Sequence, residues 1–400
     1  MNKGAFWITP MAILLLAGSP VSSPQEIAKR NNDFAFDLYS EIAKTQTGNI
    51  FISPFSISTA LAMTYAGAAG DNETQMAEVM HFAPNNPAFH TDYGKYLSRL
   101  EANAESNIQL RIANRLWGEE KYKLVQDFVD LNAQAYHSPL QKMNFRSAPE
   151  GSRMEINKWV EDQTEERIKD LIPPGGINID TRLVLTNAIY FKGDWLYQFD
   201  KKETRDKKFY KADGTKTETP FMNYVGSLNY TETDLAKIIR LPYKGEKQSM
   251  IVVLPHKTKD LEKVEAQMNA STFQSVLYAY TPEVILALPK FKMTLPLNLN
   301  GYLQNMGMTL AFGADADFSK MTPSNDLFIS GVVHKAFIEI DEEGTEAAAA
   351  TAVIMTLESI SVNEPPKPKE FIADHPFLFY IIDDETQAIL FMGRLMEPKS

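Results

Sequence analysis

The sequence predicts an α+β fold, on three observations. Helix-periodic stretches and strand-like apolar runs alternate without a regular strand-helix-strand rhythm, which argues against a doubly wound parallel sheet. Apolar residues make up 44% of the chain and aromatics 11%, ample for a deep core. No low-complexity linker or repeat period divides the 400 residues, so a single domain over 25–400 is expected, preceded by a signal-like segment over 1–24.

Each element follows in chain order. Lys3 precedes an apolar stretch from Ala12 to Ala17 and then small residues, the pattern of an export signal too short to span a bilayer as a helix. Leu16-Ala17-Gly18-Ser19 is shaped like a bacterial lipoprotein cleavage box, but Ser19 stands where the lipid-accepting cysteine would be, and Pro20 disfavours ordinary cleavage after Ser19. The expectation is a secreted or periplasmic protein of bacterial type. Asn32 to Ala43 places Phe34, Phe36, Leu38 and Ile42 near one side of an amphipathic helix. Ser56 to Ala66 is apolar almost all round, which predicts a buried helix. Ile156 to Leu171 reads as a helix ended by Pro173-Pro174-Gly175-Gly176. Thr186 to Phe191 and Val332 to Ile340 read as strands, the second running straight into Asp341 to Thr351. Pro365, Pro366 and Pro368 cannot continue a central strand, because proline lacks the ladder donor.

Composition and motifs exclude several classes of function. With 40 basic and 51 acidic residues the net charge is -11, which discourages a nucleic-acid partner. Lys201 to Lys208 interleaves acids and bases and reads as a solvated loop. The chain has no cysteine, which removes disulfides, thiolate nucleophiles and cysteine zinc sites. His81, His90, His137, His256, His334 and His375 show no zinc spacing, and neither a phosphate-cradling glycine loop nor a nucleophile elbow occurs. Asp315 and Asp317 lack the remaining ligands of a calcium loop and read as a polar turn. The expectation is a protein that is not an enzyme and carries no cofactor or metal.

The stretch DEEGTEAAAAT, Asp341 to Thr351, is ambiguous alone. Four alanines favour a helix starting at Gly344 and capped near Thr345. With period two, Thr345, Ala347, Ala349, Thr351, Val353 and Met355 share one uncharged strand face, leaving Glu346, Ala348, Ala350, Ala352 and Ile354 on the other.

This stretch resembles the proximal hinge of the reactive-centre loop of the serpins. Gly48 to Gln75 resembles that family's buried second helix, Thr181 to Phe199 the third strand of its main sheet, and Met250 to Pro255 a core strand. Ala373 to Ile381 and Ile389 to Pro398 resemble the closing strands, so the matches run in family order from about Gln25 to Pro398. The resemblance implies a large central mixed sheet with additional sheets and about eight or nine helices, and an exposed loop over about 342–370. It implies a monomeric inhibitor whose partner is a serine protease, with a cysteine protease as a further target. The protease would be trapped as an acyl-enzyme when the cleaved loop inserts into the main sheet.

The resemblance also implies the site residues. The hinge comprises Glu342, Glu343, Gly344, Thr345, Glu346, Ala347, Ala348, Ala349, Ala350 and Thr351, of which Thr345 enters the sheet first. The bait bond falls at Glu358-Ser359, with Met355, Thr356 and Leu357 as alternatives. Asn49, Ser53, Ser56, Asn187 and His334 correspond to a polar cluster beneath the main sheet that controls its opening, against the plainer reading of a satisfied core network. Trp159, Trp195 and Phe199 read as packing. The rival reading is a non-inhibitory serpin-fold carrier, storage protein or chaperone.

Overall fold

The structure is a computed structural model and describes residues 22–84, 86–102, 108–324, 326–345 and 367–398. Its first half contains α1 (Pro24–Ala43), β1 (Ile50–Ile52), α2 (Pro54–Tyr65), α3 (Gly70–Val79), α4 (Phe89–Ala102), β2 (Ile108–Glu119), α5 (Gln126–Ala135), β3 (Gln141–Met143), α6 (Pro149–Gln163) and β4 (Leu183–Asp194). The middle carries β5 (Arg205–Tyr210), β6 (Lys216–Ser227), β7 (Tyr230–Glu232), β8 (Ala236–Pro242), β9 (Gln248–Pro255), α7 (Leu261–Gln267), α8 (Ala270–Leu277) and β10 (Glu283–Pro289). The chain closes with β11 (Phe291–Asn298), α9 (Asn300–Asn305), β12 (Val333–Ile340), β13 (Gly344–Thr345), β14 (Lys369–Ile372), β15 (Phe377–Asp383) and β16 (Ile389–Leu395).

Three sheets organise these strands. The main mixed sheet has the order β11-β12-β13-β4-β2-β3, the second β1-β16-β15-β9-β8-β7, and the third β14-β10-β6-β5. The first two share an aromatic core: Phe191 of β4 packs edge-on to Phe391 of β16, and Phe291 of β11 lies against Phe379 of β15. Every residue of α2 is buried, which is why its sequence is apolar all round; Ser53 caps it and Pro54 opens its first turn. On the opposite face α6 covers β2, where the Arg115 guanidinium sits 4.2 Å from the Trp159 ring and Trp159 meets Trp117 edge-on.

Three boundaries depart from the sequence expectation. The first helix begins at Pro24, because Ser23 accepts the Glu26 N–H and Pro24 needs no donor there. The helix expected over Ile156 to Leu171 spans Pro149 to Gln163 instead. Glu165 and Glu166 adopt left-handed backbone at φ 50° and 61°, turning the chain back so that Asn157 clasps both backbone groups of Ile172. Finally, Lys201 to Lys208 is not loop: a short 3-10 turn leads into β5.

Candidate functional site

The main sheet is unevenly zipped. β12 pairs with β11 over eight register positions, Val333 to Ile340, and β4 pairs with β2 over eleven, Leu183 to Gly193. Between β12 and β4 only four parallel pairs form, His334 with Asn187 through Phe337 with Tyr190. Beyond Tyr190 the two strands part, and β13 fills the gap: Thr345 pairs with Ile340 on one side and Gly193 on the other, and Gly344 with Asp194. Gly344 and Thr345 are thus already strand, which settles these two against the helical alternative. Glycine is required at 344, since a Cβ there would lie 2.1 Å from the Gly193 carbonyl oxygen. Thr345 is fully buried, and its hydroxyl is 2.7 Å from the Tyr243 hydroxyl.

The base of the hinge is clasped by the segment after β4. Backbone N–H groups of Trp195 and Phe199 donate to the carbonyls of Glu343 and Glu342, both at 2.9 Å, and the Trp195 indole donates to the Asp341 carbonyl. Trp195 in turn stacks on Tyr243 at 4.7 Å. The buried Glu342 carboxylate takes Lys290 Nζ and Thr204 Oγ1, each at 2.7 Å. Burial alone would raise its pKa, but those two donors hold it below the ordinary value. Lys201 pairs with Glu343.

A buried polar cluster ties the closed part of the seam to α2. Asn187 donates through its amide to the Ser56 carbonyl (2.7 Å), the Ser56 hydroxyl (2.5 Å) and Asn114 Oδ1 (2.8 Å). Its Oδ1 lies 2.8 Å from His334 Nδ1, while His334 Nε2 accepts the Ser53 N–H at 3.1 Å. Since Nε2 accepts, the proton resides on Nδ1 and is donated to Asn187. Burial pushes the His334 pKa down to about 3, so the ring is neutral at pH 7. Ser53 Oγ donates to the Leu390 carbonyl at 2.6 Å and accepts the Ser56 N–H. On the opposite face Arg167 lies over the Phe337 ring and Lys335 Nζ donates to the Lys169 carbonyl, so the strap after α6 crosses the same seam.

The structure therefore brings together Ser53, Ser56, Asn187 and His334, but not Asn49. The Asn49 amide is spent on the chain end: it donates to the Glu397 carbonyl and accepts the N–H groups of Met396 and Glu397. Of the expected hinge, Glu342, Glu343, Gly344 and Thr345 are described, the last two as β13. Glu346, Ala347, Ala348, Ala349, Ala350 and Thr351, and the bait positions Met355, Thr356, Leu357, Glu358 and Ser359, lie outside the described residues. Tyr243, Lys290, Thr204, Lys201 and Asn114 escaped the sequence reading, and Trp195 and Phe199 do more than pack. A buried glutamate doublet demands partners, which was the one signal that lysines elsewhere had to reach it.

Comparison with known proteins supplies the class. Residues 29–398 match the family model Serpin (serine protease inhibitor), and the chain belongs to that family. It is 40% identical over 94% of its length to an uncharacterized serpin-like protein of Methanosarcina acetivorans, of which 89% is covered. It is 39% identical over 93% of its length to human Serpin B4, of which 99% is covered. Its fold is similar to that of Serpin48, a highly specific serpin of the insect Tenebrio molitor (TM-score 0.82, 32% identity, 94% of this chain and 99% of that one). It is also similar to uncleaved ovalbumin (TM-score 0.83, 30% identity, 93% and 100%).

Proposed function

We propose that this chain is an inhibitor of serine proteases that acts as a suicide substrate. The observation that carries the reading is β13: the hinge is held in register at the open end of a seam closed by only four pairs. A protease serine attacks the bait carbonyl, the peptide amine leaves with its proton, and an acyl ester joins the enzyme to the loop. Insertion of the freed strand before water hydrolyses that ester traps the enzyme. Glu358-Ser359 is the bait bond we favour, for a protease with a basic specificity pocket. The signal-like N-terminus supports export to where such proteases act.

The register of β13 dictates what insertion would do. Continuing it past Thr345 places Ala347 opposite Phe191 and Ala349 opposite Ile189, both facing the core. Thr351 then falls between Asn187 on β4 and His334 on β12, and its hydroxyl is suited to accept the Nδ1–H and donate to Asn187 Oδ1. The alternate positions Ala348 and Ala350 fall opposite Tyr190 and Ala188, beneath α6 and its strap, where only small side chains enter without displacing them.

A second reading, a serpin-fold protein cleaved without trapping, is favoured by the similarity to ovalbumin. The test is a panel of glutamyl endopeptidase, chymotrypsin, elastase and subtilisin, with products resolved on denaturing gels and by mass spectrometry. An SDS-stable complex with a released C-terminal fragment supports trapping; cleavage in the loop by every enzyme without a complex supports the second reading.

A further inference from the structure

A cleft of about 810 Å³ opens away from the hinge and the seam, between α3, the start of α4 and the end of α2. That volume lies in the range that takes a small organic molecule. Its inner wall is aromatic. Phe82 and Phe89 rings lie 4.7 Å apart, Tyr65 stands 5.3 Å from Phe82, and His90 is 4.9 Å from Phe89. His90 bonds Tyr136 at 2.6 Å, and burial, with Lys320 nearby, lowers its pKa to about 4, so it offers a neutral ring.

The outer wall is acidic. Glu73 and Ala77, and Thr74 and Glu78, are two i,i+4 pairs that turn one face of α3 into the cleft. Glu73 is bound to Lys320 at 2.7 Å, which cancels that charge. Glu78 lines the cleft with no ion pair of its own among the described residues. His81 at the rim is engaged by Asp37 at 2.8 Å. Aromatic faces present their negative quadrupole to a cation, and a facing carboxylate adds to the attraction. An anion would meet Glu78 and the ring faces together.

We propose that this cleft is a binding site for a small organic cation, an amine carried on an aromatic or short apolar group, with the apolar part against the Tyr65–Phe82–Phe89–His90 wall and the ammonium at Glu78. None of the hinge or seam residues lines it, so the site stands or falls independently of protease trapping.

The experiment is calorimetric titration of the full chain at pH 7 with three near-isosteres: 3-phenylpropylamine, 3-phenylpropanol and 3-phenylpropionate. The expected order is amine, then alcohol, then carboxylate, with the amine ahead of the alcohol by about threefold or more at low salt. Glu78 is exposed, so Glu78→Gln keeps the fold; it should bring the amine down to the alcohol's affinity and leave the alcohol unchanged. Glu78→Lys should invert the preference toward the carboxylate. Equal affinity for the three probes, failure of the amine to bind, or an amine affinity indifferent to both variants would overturn the assignment.

Discussion

Acid should open the sheet at its seam, and His334 sets the amount. In the closed sheet its Nε2 accepts the Ser53 N–H, so a second proton would set donor against donor, and its pKa is about 3 against 6.5 for a free histidine. A group whose pKa is depressed in the closed state contributes stability that is complete above 6.5 and is lost as pH falls toward 3, because the open state binds the proton more readily. At pH 5 the separation of 1.5 units from the free value favours opening by about thirtyfold, or ~2 kcal/mol, over a non-titrating seam. The assay is amide hydrogen exchange at Ala188 to Tyr190 and Lys335 to Phe337, corrected for intrinsic rates, at pH 7 and pH 5. His334→Gln isolates the contribution from that of the buried Asp383 and the half-buried Asp341 and Asp384, whose pKa values desolvation raises and which therefore respond to acid in the opposite sense. Seam exchange should accelerate in the parent and stay flat in the variant. Equal acceleration in both would refute the assignment of the seam to His334.

Three further outcomes follow from the hinge and the proposed bait bond. Thr345→Arg would place a guanidinium where a fully buried hydroxyl meets Tyr243. Burying it costs several kcal/mol, so β13 should leave the sheet and its return during insertion should slow more than a hundredfold, with cleaved substrate replacing the SDS-stable complex on gels. Gly344→Ala drives a methyl into the Gly193 carbonyl and should expel β13 from the sheet, read as a red shift of tryptophan emission as Trp195, stacked on Tyr243, gains solvent. Glu358→Ala should abolish trapping of a glutamyl endopeptidase while sparing any complex formed through Met355 or Leu357; an unchanged fragment mass would move the bait bond.

Local pattern exposed much of this architecture, and distance hid the rest. α2 was legible because burial on all sides leaves no polar face, and β12 because its burial alternates residue by residue. The length of α6 was not, since Glu165 and Glu166 are good helix formers whose left-handed backbone is imposed by the fold-back onto Asn157. Ser53, Ser56, Asn187 and His334, which the structure brings together, were named through the resemblance rather than from periodicity. Tyr243, Lys290 and Thr204 reach the hinge from 102, 52 and 138 residues away, a convergence that only tertiary packing creates. Asn49 was named through the same resemblance, but its side chain lies outside the cluster because the chain end holds it.

The two ends of the seam are built on opposite logic. At the hinge end every polar group already has its partner: Glu342 has Lys290 and Thr204, Thr345 has Tyr243, and the carbonyls of Asp341 to Glu343 have Trp195 and Phe199. That wedge holds β12 and β4 apart at the place where, under the proposed mechanism, the next strand residues would enter. Below it, the closed part relies on four parallel pairs and the His334–Asn187 bond, which among the described residues is the one link of the cluster that crosses from β12 to β4. Under the proposed mechanism, a strand entering from the wedge would trade those four pairs for two new ladders, and Thr351 would arrive where the crossing bond is broken, recovering the polar cost of opening. If the loop inserts as proposed, the resistance would be concentrated at the His334–Asn187 bond and the strap carrying Arg167 and Lys169.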